Sequence, residues 1–502
     1  MDRILLVTGR EAEGRVRGVS AGHQVHVCMV SVAALLSPAR ILKELRNENL
    51  RGVSMILVPG YVSGDISVIS KELGVPCYKG TKNVADLPEL LKVIDSVELS
   101  TKKPADDLLA LRDAEQAESE VAAHTSADFH FAIGKKSQVL VGGRRPFRII
   151  AEIPDAPLLS KAELRRRAKY LVKSGAAIVD LGMIAGEDNS KSVSEMVSAV
   201  KRSILTPVSI DTLDEREILA ANGIADMVLS IGMPNLRLTK RLKCPAVLIP
   251  EDSAGRIPEA APERVAVLET MMQACEENGF KNYIVDPIMR PPISGFSDSL
   301  LGYKLFREKY PDVPTMLGVG NVTELLDADS VGVNALLAAF AQDLKIDFLF
   351  TTEASNKTRG SVSELKKASK LTFLADVRGQ QPKDLGVDLL MLKDKKKIEP
   401  IIDSRTRKLK PVRVKESKPD LDSTSYRIYL KGSKIFAVKY SKDKPLRVYE
   451  GANAAELSKT ICFKEKISPE HAAYLGRELM KAEIALKTGK NYVQDQSVFK
   501  RP

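Results

Sequence analysis

Eight short apolar runs, separated by helical intervals between residues 146 and 370, restrict this chain's fold more than any other feature. They are FRIIAEI (147–153), AAIVDLG (176–182), PVSID (207–211), DMVLSI (226–231), PAVLIP (245–250), NYIVDP (282–287), PTMLGVG (314–320) and DFLFTT (347–352). Each is a nearly continuous apolar stretch of strand length, as expected for strands buried on both faces of a helix-covered parallel sheet. KAELRRRAKYLVKSG, SEMVSAVKRSI, DEREILAANG and PERVAVLETMMQACEENG read as the covering helices. This count and spacing predict a (β/α)8 TIM barrel.

The pattern changes on either side. Residues 1–100 alternate strand-like ILLVTG (4–9), VHVCMV (25–30), SMILVPG (54–60) and VPCYKG (75–80) with helix-like PARILKELRNEN (38–49), DISVISKELG and ADLPELLKVIDSV. That alternation predicts a small, open, Rossmann-like α/β layer. Residues 101–127 are acidic and Ala-rich, are entered at Pro104, and predict a linker helix. FHFAIGKKSQVLVGG (129–143) predicts a hairpin about Gly134, of the kind that can plug the bottom of a barrel spanning 128–389. In 390–502, YRIYL (426–430), KIFAVKY (434–440) and PLRVYE (445–450) alternate like antiparallel strands before helical PEHAAYLGRELMKAEIALKTG (469–489), which makes a small α+β module.

A chain of 502 residues has room for these three units at roughly 100–200 residues per domain. Its 44% hydrophobic content excludes bulk disorder. The net charge of +11 is uneven: residues 390–502 hold 27 Lys and Arg against 14 Asp and Glu, and the preceding 389 residues sum to −2. Such a tail either attracts an anionic or acidic partner or is a solvated Lys-rich surface. With no RNA-binding signature and no Arg-rich block, nucleic acid is not the expected partner. No apolar run reaches the roughly 18–20 residues that span a bilayer, and MDRILLVTGR reads as a first strand rather than a signal peptide, so a cytoplasmic protein is expected. Cys28, Cys77, Cys244, Cys275 and Cys462 form no CxxC pair. No zinc ribbon, iron–sulfur cluster or disulfide framework is therefore expected, and no metal ligand is assigned.

Barrel chemistry sits at the C-terminal strand ends. Those ends deliver Glu152 and Asp155, Asp180 with Gly182, Asp211 and Thr212, Asp286 and Pro287, then Gly318, Gly320 and Asn321. Glu353, Asn356, Lys357, Thr358, Arg359 and Gly360 follow the eighth strand. A helix cap explains one such carboxylate, but several at one mouth exceed what folding needs. Fixed carboxylates and a carboxamide suit an amidine-like ring that offers adjacent N–H donors. Gly318 and Gly320 allow the backbone to approach a ligand closely. Lys357, Arg359 and Ser361 lie around a helix start after strand eight, where barrels hold phosphate or another anion. Residues 146–370, which carry the eight strands, contain no histidine, so nucleophilic triads and His-based metal hydrolysis are not expected, and no catalytic residue is assigned. VPGYVSGD (58–65) places Gly60, Gly64 and Asp65 at a strand end, either as a ligand loop or as an ordinary tight turn. VTGREAEGRVR lacks the GxGxxG spacing, and His471 reads as a packing or surface histidine.

IIAEIPDAP, GAAIVDLG, VSIDT and YIVDP resemble the pterin-binding barrel of dihydropteroate synthases, whereas GVGNV (318–322) resembles the corresponding strand of pterin-dependent methyltransferases. With GDISVISKELGVPCYKG and FTTEASNKTRGSV, and with a layer before and a module behind the barrel, the whole chain is similar to the archaeal dihydropteroate-synthase-related proteins. The resemblance implies that Asp286 holds the aminopyrimidine edge of a pterin, Asp211 lies beside the ring, and Asn321 approaches its reactive nitrogen. Asp180 matches the second-strand aspartate, and Glu152 matches the first-strand polar residue across a gap. Three departures stand out. Ser230 replaces the fourth-strand Asn-Asp, GVGNV replaces the seventh-strand Ser-Arg-Lys, and TTEASNKTRG replaces the last-strand Arg-x-His. Those missing groups neutralise diphosphate, which leaves Lys357, Arg359 and Ser361 for an anion such as a ribosyl phosphate on the amine. The implied activity is a transferase joining a hydroxymethylpterin diphosphate to an arylamine, in biosynthesis of a tetrahydromethanopterin- or folate-type one-carbon carrier. A reduced pterin would be substrate or cofactor, with Mg2+ serving the condensation. Two alternatives stay open: a methyltransferase from a reduced pterin to a corrinoid or protein partner docked on the basic module, and a non-catalytic pterin-binding scaffold. A homodimer is also left open.

Overall fold

A computed structural model of the chain describes residues 3–33, 36–392, 409–410, 412, 424–441 and 444–499. Most of the basic stretch 393–423 lies outside the described residues. The first unit runs β1 (Arg3–Gly9), α1 (Glu13–Val19), β2 (Gln24–Cys28), α2 (Pro38–Leu45), β3 (Val53–Val58), α3 (Ser67–Leu73), β4 (Cys77–Lys79) and α4 (Leu87–Val93). Its strands form a parallel sheet in the order β2-β1-β3-β4. Strand side chains alternate between faces. Leu5 and Val7 pack with Ile41, Leu45 and Ile69 on one face, while Ile4 and Leu6 pack with Val16 and Leu90 on the other.

The helix α5 (Ala105–His124) ties two units together and is more than a linker. At its start, Asp106 accepts a hydrogen bond from the Lys82 amide (2.6 Å) and Asp107 pairs with the Lys82 ammonium (2.7 Å). Further along, Ala117 packs against Leu374 and Leu385, and Glu120 receives two hydrogen bonds from the Arg378 guanidinium (2.9 and 2.5 Å).

The barrel begins with a hairpin, β5 (Phe131–Ile133) and β6 (Val139–Val141). Gly134 turns it with φ of 90°, and a Cβ there would run into Pro207 and the Ser137 backbone. Then follow β7 (Arg148–Ile153), α6 (Lys161–Ser174), β8 (Ile178–Gly182), α7 (Ser190–Lys201), β9 (Val208–Asp211), α8 (Glu215–Ala221) and β10 (Met227–Ile231). A five-residue 3-10 turn, Leu236–Lys240, is the helical element in the crossover to β11 (Ala246–Leu248). The chain continues with α9 (Ala261–Glu277), β12 (Tyr283–Val285), α10 (Phe296–Lys309), β13 (Met316–Gly318), α11 (Gly320–Thr323), α12 (Ser330–Asp343), β14 (Phe348–Thr352) and α13 (Ser361–Arg378). The eight parallel strands β7–β14 run in one sheet, and a single Val285–Thr315 bridge joins its two ends.

The hairpin fills the barrel's lower interior. Phe131, Ile133, Val139 and Val141 pack with inward-facing Ile150, Ile178, Met227, Leu229, Ile284, Met316 and Phe348. Asp347 fixes it by accepting from the amides of Gly142 (3.1 Å) and Thr315 (3.0 Å). Intervening residues such as Ile149, Val179, Ile210 and Val228 face the outer helices.

The last unit is an antiparallel sheet, β15 (Thr424–Lys431), β16 (Lys434–Ser441) and β17 (Lys444–Gly451), packed on α14 (Ala454–Glu465) and α15 (Pro469–Thr488). His471 is a core residue here, with its ring edge-on to Tyr426 at 5.3 Å. Asn356 of the barrel donates to Asn491 beyond α15 (3.2 Å).

Because the plug is part of the barrel core, Phe131→Ala should cost about 3–5 kcal/mol, measured by denaturant unfolding. A loss below about 1 kcal/mol, the size seen for ordinary surface changes, would contradict the plug.

Candidate functional site

Strand alternation carries the carboxylates into the mouth. Since Ile150 and Ile178 face inward, Glu152 and Asp180, two residues further along, do too. In β9, Val208 and Ile210 belong to the outer layer, which leaves Ser209 and Asp211 inside. Carboxylate oxygens of Glu152, Asp180 and Asp211 consequently lie within 4.8 Å of one another. Gly182 is required by this crowding, because a Cβ there would sit 2.2 Å from Glu152 Oε1.

The three acids receive little compensation. Asp180 is completely buried; its Oδ1 accepts from Ser209 Oγ at 2.6 Å, and its Oδ2 has no hydrogen-bond partner among the described residues. Asp211 Oδ1 accepts from Ser230 Oγ at 3.0 Å, which gives Ser230 a defined role beside the site. Burial first, and then neighbouring carboxylates, push Asp180 well above the usual range and Glu152 up to about 7. Burial raises Asp211 as well, against the Ser230 hydrogen bond. The charges acting on Glu152 and Asp180 are all other carboxylates.

Asp286 has a more elaborate support. Its Oδ1 accepts from Tyr303 Oη at 2.5 Å and from the Ile288 amide at 2.8 Å, which leaves Oδ2 free of hydrogen bonds. Burial lifts it to about 6, with the Tyr303 and Ile288 donors opposing the rise. Tyr303 is fully buried on α10, edge-on to Phe340. Arg264 on α9 has a wholly buried guanidinium and braces the loop after β12, donating to the carbonyls of Pro287 (3.2 Å) and Glu259 (2.5 Å) and to Asp298 Oδ2 (2.9 Å). Sequence reasoning missed both residues. The helical spacing of Ser299, Tyr303 and Phe306 was the available signal for a phenol aimed inward.

Asn321 lies one turn after β13, where its Nδ2 donates to the Met289 carbonyl (2.8 Å) and its Oδ1 is left available. Gly318 faces open space, with nothing within 4 Å of a Cβ placed there. The loop after β14 is more committed than its sequence suggests. Lys357 pairs with Asp327 (2.8 Å), and the buried Ser361 hydroxyl accepts from Asn334 (3.2 Å). Arg359 is exposed and forms no ion pair among the described residues. Glu324, also missed, shapes this loop by accepting from the Ala354 and Ser355 amides and from Thr358 Oγ1 (3.1, 3.3 and 2.5 Å).

In the N-terminal layer, Asp65 Oδ1 accepts from the Ser67 amide (2.9 Å), which caps the end of VPGYVSGD, while Val58, Pro59 and Tyr61 of the same segment line a cavity. A cavity of about 650 Å³ lies between the C-terminal ends of β1 and β3, lined by Gly9, Ala12, Pro59, Tyr61 and Lys82 among others.

A barrel with carboxylates gathered at its C-terminal mouth, between two small flanking units, defines the general class. Comparisons with known proteins narrow it. The chain is 34% identical to the uncharacterized protein MJ0107 of Methanocaldococcus jannaschii, over 99% of each chain. A family model described as PterinBD-DUF4346 matches residues 422–495, and a family of unknown function, DUF6513, matches residues 2–82. Among solved structures, the dihydropteroate synthase of Thermus thermophilus is similar at 19% identity and a TM-score of 0.39, over 48% of this chain and 97% of that one. The enzyme of Vibrio fischeri is similar at 15% and 0.39, over 50% of this chain and 100% of that one. The chain belongs to the family of the uncharacterized Methanocaldococcus protein.

Tyr303→Phe should leave the fold intact and move Asp286 upward from about 6, because a donor that favours the ionised form is lost. Carboxyl NMR titration would show this; an unchanged or lower midpoint would contradict the assigned hydrogen bond.

Proposed function

We propose that the barrel mouth binds a reduced pterin and that the protein is a pterin-binding, transferase-like enzyme. The observation that carries this reading is a set of four inward carboxylates, Glu152, Asp180, Asp211 and Asp286, which form no ion pair among the described residues. Uncompensated buried acids are costly, and a ring presenting adjacent N–H donors relieves that cost. Asp286 Oδ2 accepts no hydrogen bond among the described residues and would accept from such an edge, and on the resemblance Asp211 would lie beside the ring and Asn321 would approach it. The family model whose name includes a pterin-binding domain matches residues 422–495, the module that follows this barrel.

For the reaction, we favour joining a hydroxymethylpterin diphosphate to an arylamine. The carbon–oxygen bond to diphosphate breaks, the amine nitrogen bonds to that carbon and loses a proton, and diphosphate leaves. Arg359 is the cation left over at the strand-eight loop for an anionic group on either substrate. The oxygen donors of Glu152, Asp180 and Asp211 fit a hard divalent ion such as Mg2+, which when bound would supply charge neutralisation. The pairing of Lys357 and the burial of Ser361 leave few groups for a diphosphate, and Asn321 lies near the mouth. These placements favour a second reading, methyl transfer from a reduced pterin to a corrinoid or protein partner.

Calorimetric titration with 7,8-dihydropterin should show binding that Asp286→Ala weakens by about 30- to 1,000-fold, equal to roughly 2–4 kcal/mol. Equal affinity in both proteins would rule out the assigned contact. The ligand needs Asp286 ionised, so affinity should rise with pH through about 6 and fall up to tenfold per unit below it. A flat profile between pH 5 and 7 would contradict that. Diphosphate release with an arylamine present separates condensation from methyl transfer, which releases none.

A further inference from the structure

Away from the barrel, the outer strand of the N-terminal sheet brings together three residues of different donor chemistry. His26 and Cys28 stand two apart on β2 and therefore share a face of the sheet, and Glu44 reaches the strand end from α2. A ring nitrogen of His26, the Cys28 sulfur and a Glu44 carboxylate oxygen lie within 4.8 Å of one another. Glu44 is held there by the Met29 amide, which donates to its Oε2 at 3.0 Å. Arg40 lies 3.7 Å from Oε1, too far for a hydrogen bond. Glu48 binds His26 Nδ1, while Nε2 is buried with no hydrogen-bond partner among the described residues. An imidazole with one nitrogen on a carboxylate and the other unspent is the arrangement that orients a histidine toward a metal ion. A cleft of about 620 Å³, lined by His26, Met29, Glu44 and Glu48 among others, connects this corner to solvent.

We propose that His26, Cys28 and Glu44 bind a divalent transition-metal ion of the zinc class, with Glu48 positioning the imidazole. Nitrogen, thiolate and carboxylate donors suit zinc, and sulfur disfavours Mg2+ and Ca2+. Three protein ligands leave a fourth position for water or a small ligand entering from the cleft. The ion would pin the outer strand β2 to α2. This proposal is independent of the barrel and of any pterin chemistry there.

The test uses the full chain, stripped with a chelator and titrated with Zn2+ against a chromophoric competitor, then with Co2+. The expected result is one Zn2+ per chain, and a thiolate-to-Co2+ charge-transfer band that disappears in Cys28→Ser. Glu44→Gln and Glu48→Gln should each weaken Zn2+ binding by about 10- to 100-fold. Both glutamate side chains are partly exposed, at 13% and 28%, and Glu→Gln preserves their shape, so these variants keep the test decisive if Cys28→Ser does not fold. No Zn2+ uptake, Co2+ uptake without the thiolate band, or unchanged Zn2+ affinity in both glutamate variants would overturn the proposal.

Discussion

The barrel mouth is organised around carboxylates taken out of water without cations to meet them. Burying an unpaired charge costs several kcal/mol, so such a group either takes up a proton or waits for a partner that supplies donors. Glu152 and Asp286, at about 7 and about 6, stand close to that choice at neutral pH. The surrounding protein supports this arrangement without relieving it. Tyr303 and the Ile288 amide hold one oxygen of Asp286, Arg264 fixes the loop that carries it, and Gly182 makes room for Glu152. The apolar hairpin closes the opposite end, leaving the top of the barrel to the polar groups.

The flanking units are joined to this barrel in different ways. The helix α5 is anchored at one end to the loop after β4 and at the other to α13, through Asp106 and the Glu120–Arg378 pair. Since α13 follows the strand-eight loop, the N-terminal layer is coupled to the element behind Arg359. The C-terminal unit touches the same loop through Asn491 and Asn356. The C-terminal unit thus meets the barrel at the strand-eight loop, and α5 meets it at the opposite end of α13.

Much of this was legible in the sequence because parallel barrel strands are short apolar runs, and because alternation fixes which residues face inward once one does. Glu152, Asp180, Asp211 and Asp286 could therefore be read as strand-end residues before their geometry was known. The loop after strand eight was less legible. Lys357 and Ser361 are consumed by Asp327 and Asn334, about 30 positions away, and spacing alone does not reveal such partners. Tyr303, Arg264 and Glu324 lie on helices or at their ends and matter through tertiary contacts. His26, Cys28 and Glu44 escaped a search for paired cysteines, because their proximity depends on how α2 packs beside β2.

The most direct test of the central account is a crystal structure of the full chain with 7,8-dihydropterin. The account predicts the ligand's aminopyrimidine edge against Asp286 Oδ2, with Asp211 and Asn321 bordering the ring. Density for the ligand at another place, such as the cavity between β1 and β3, with the barrel mouth unchanged, would contradict it.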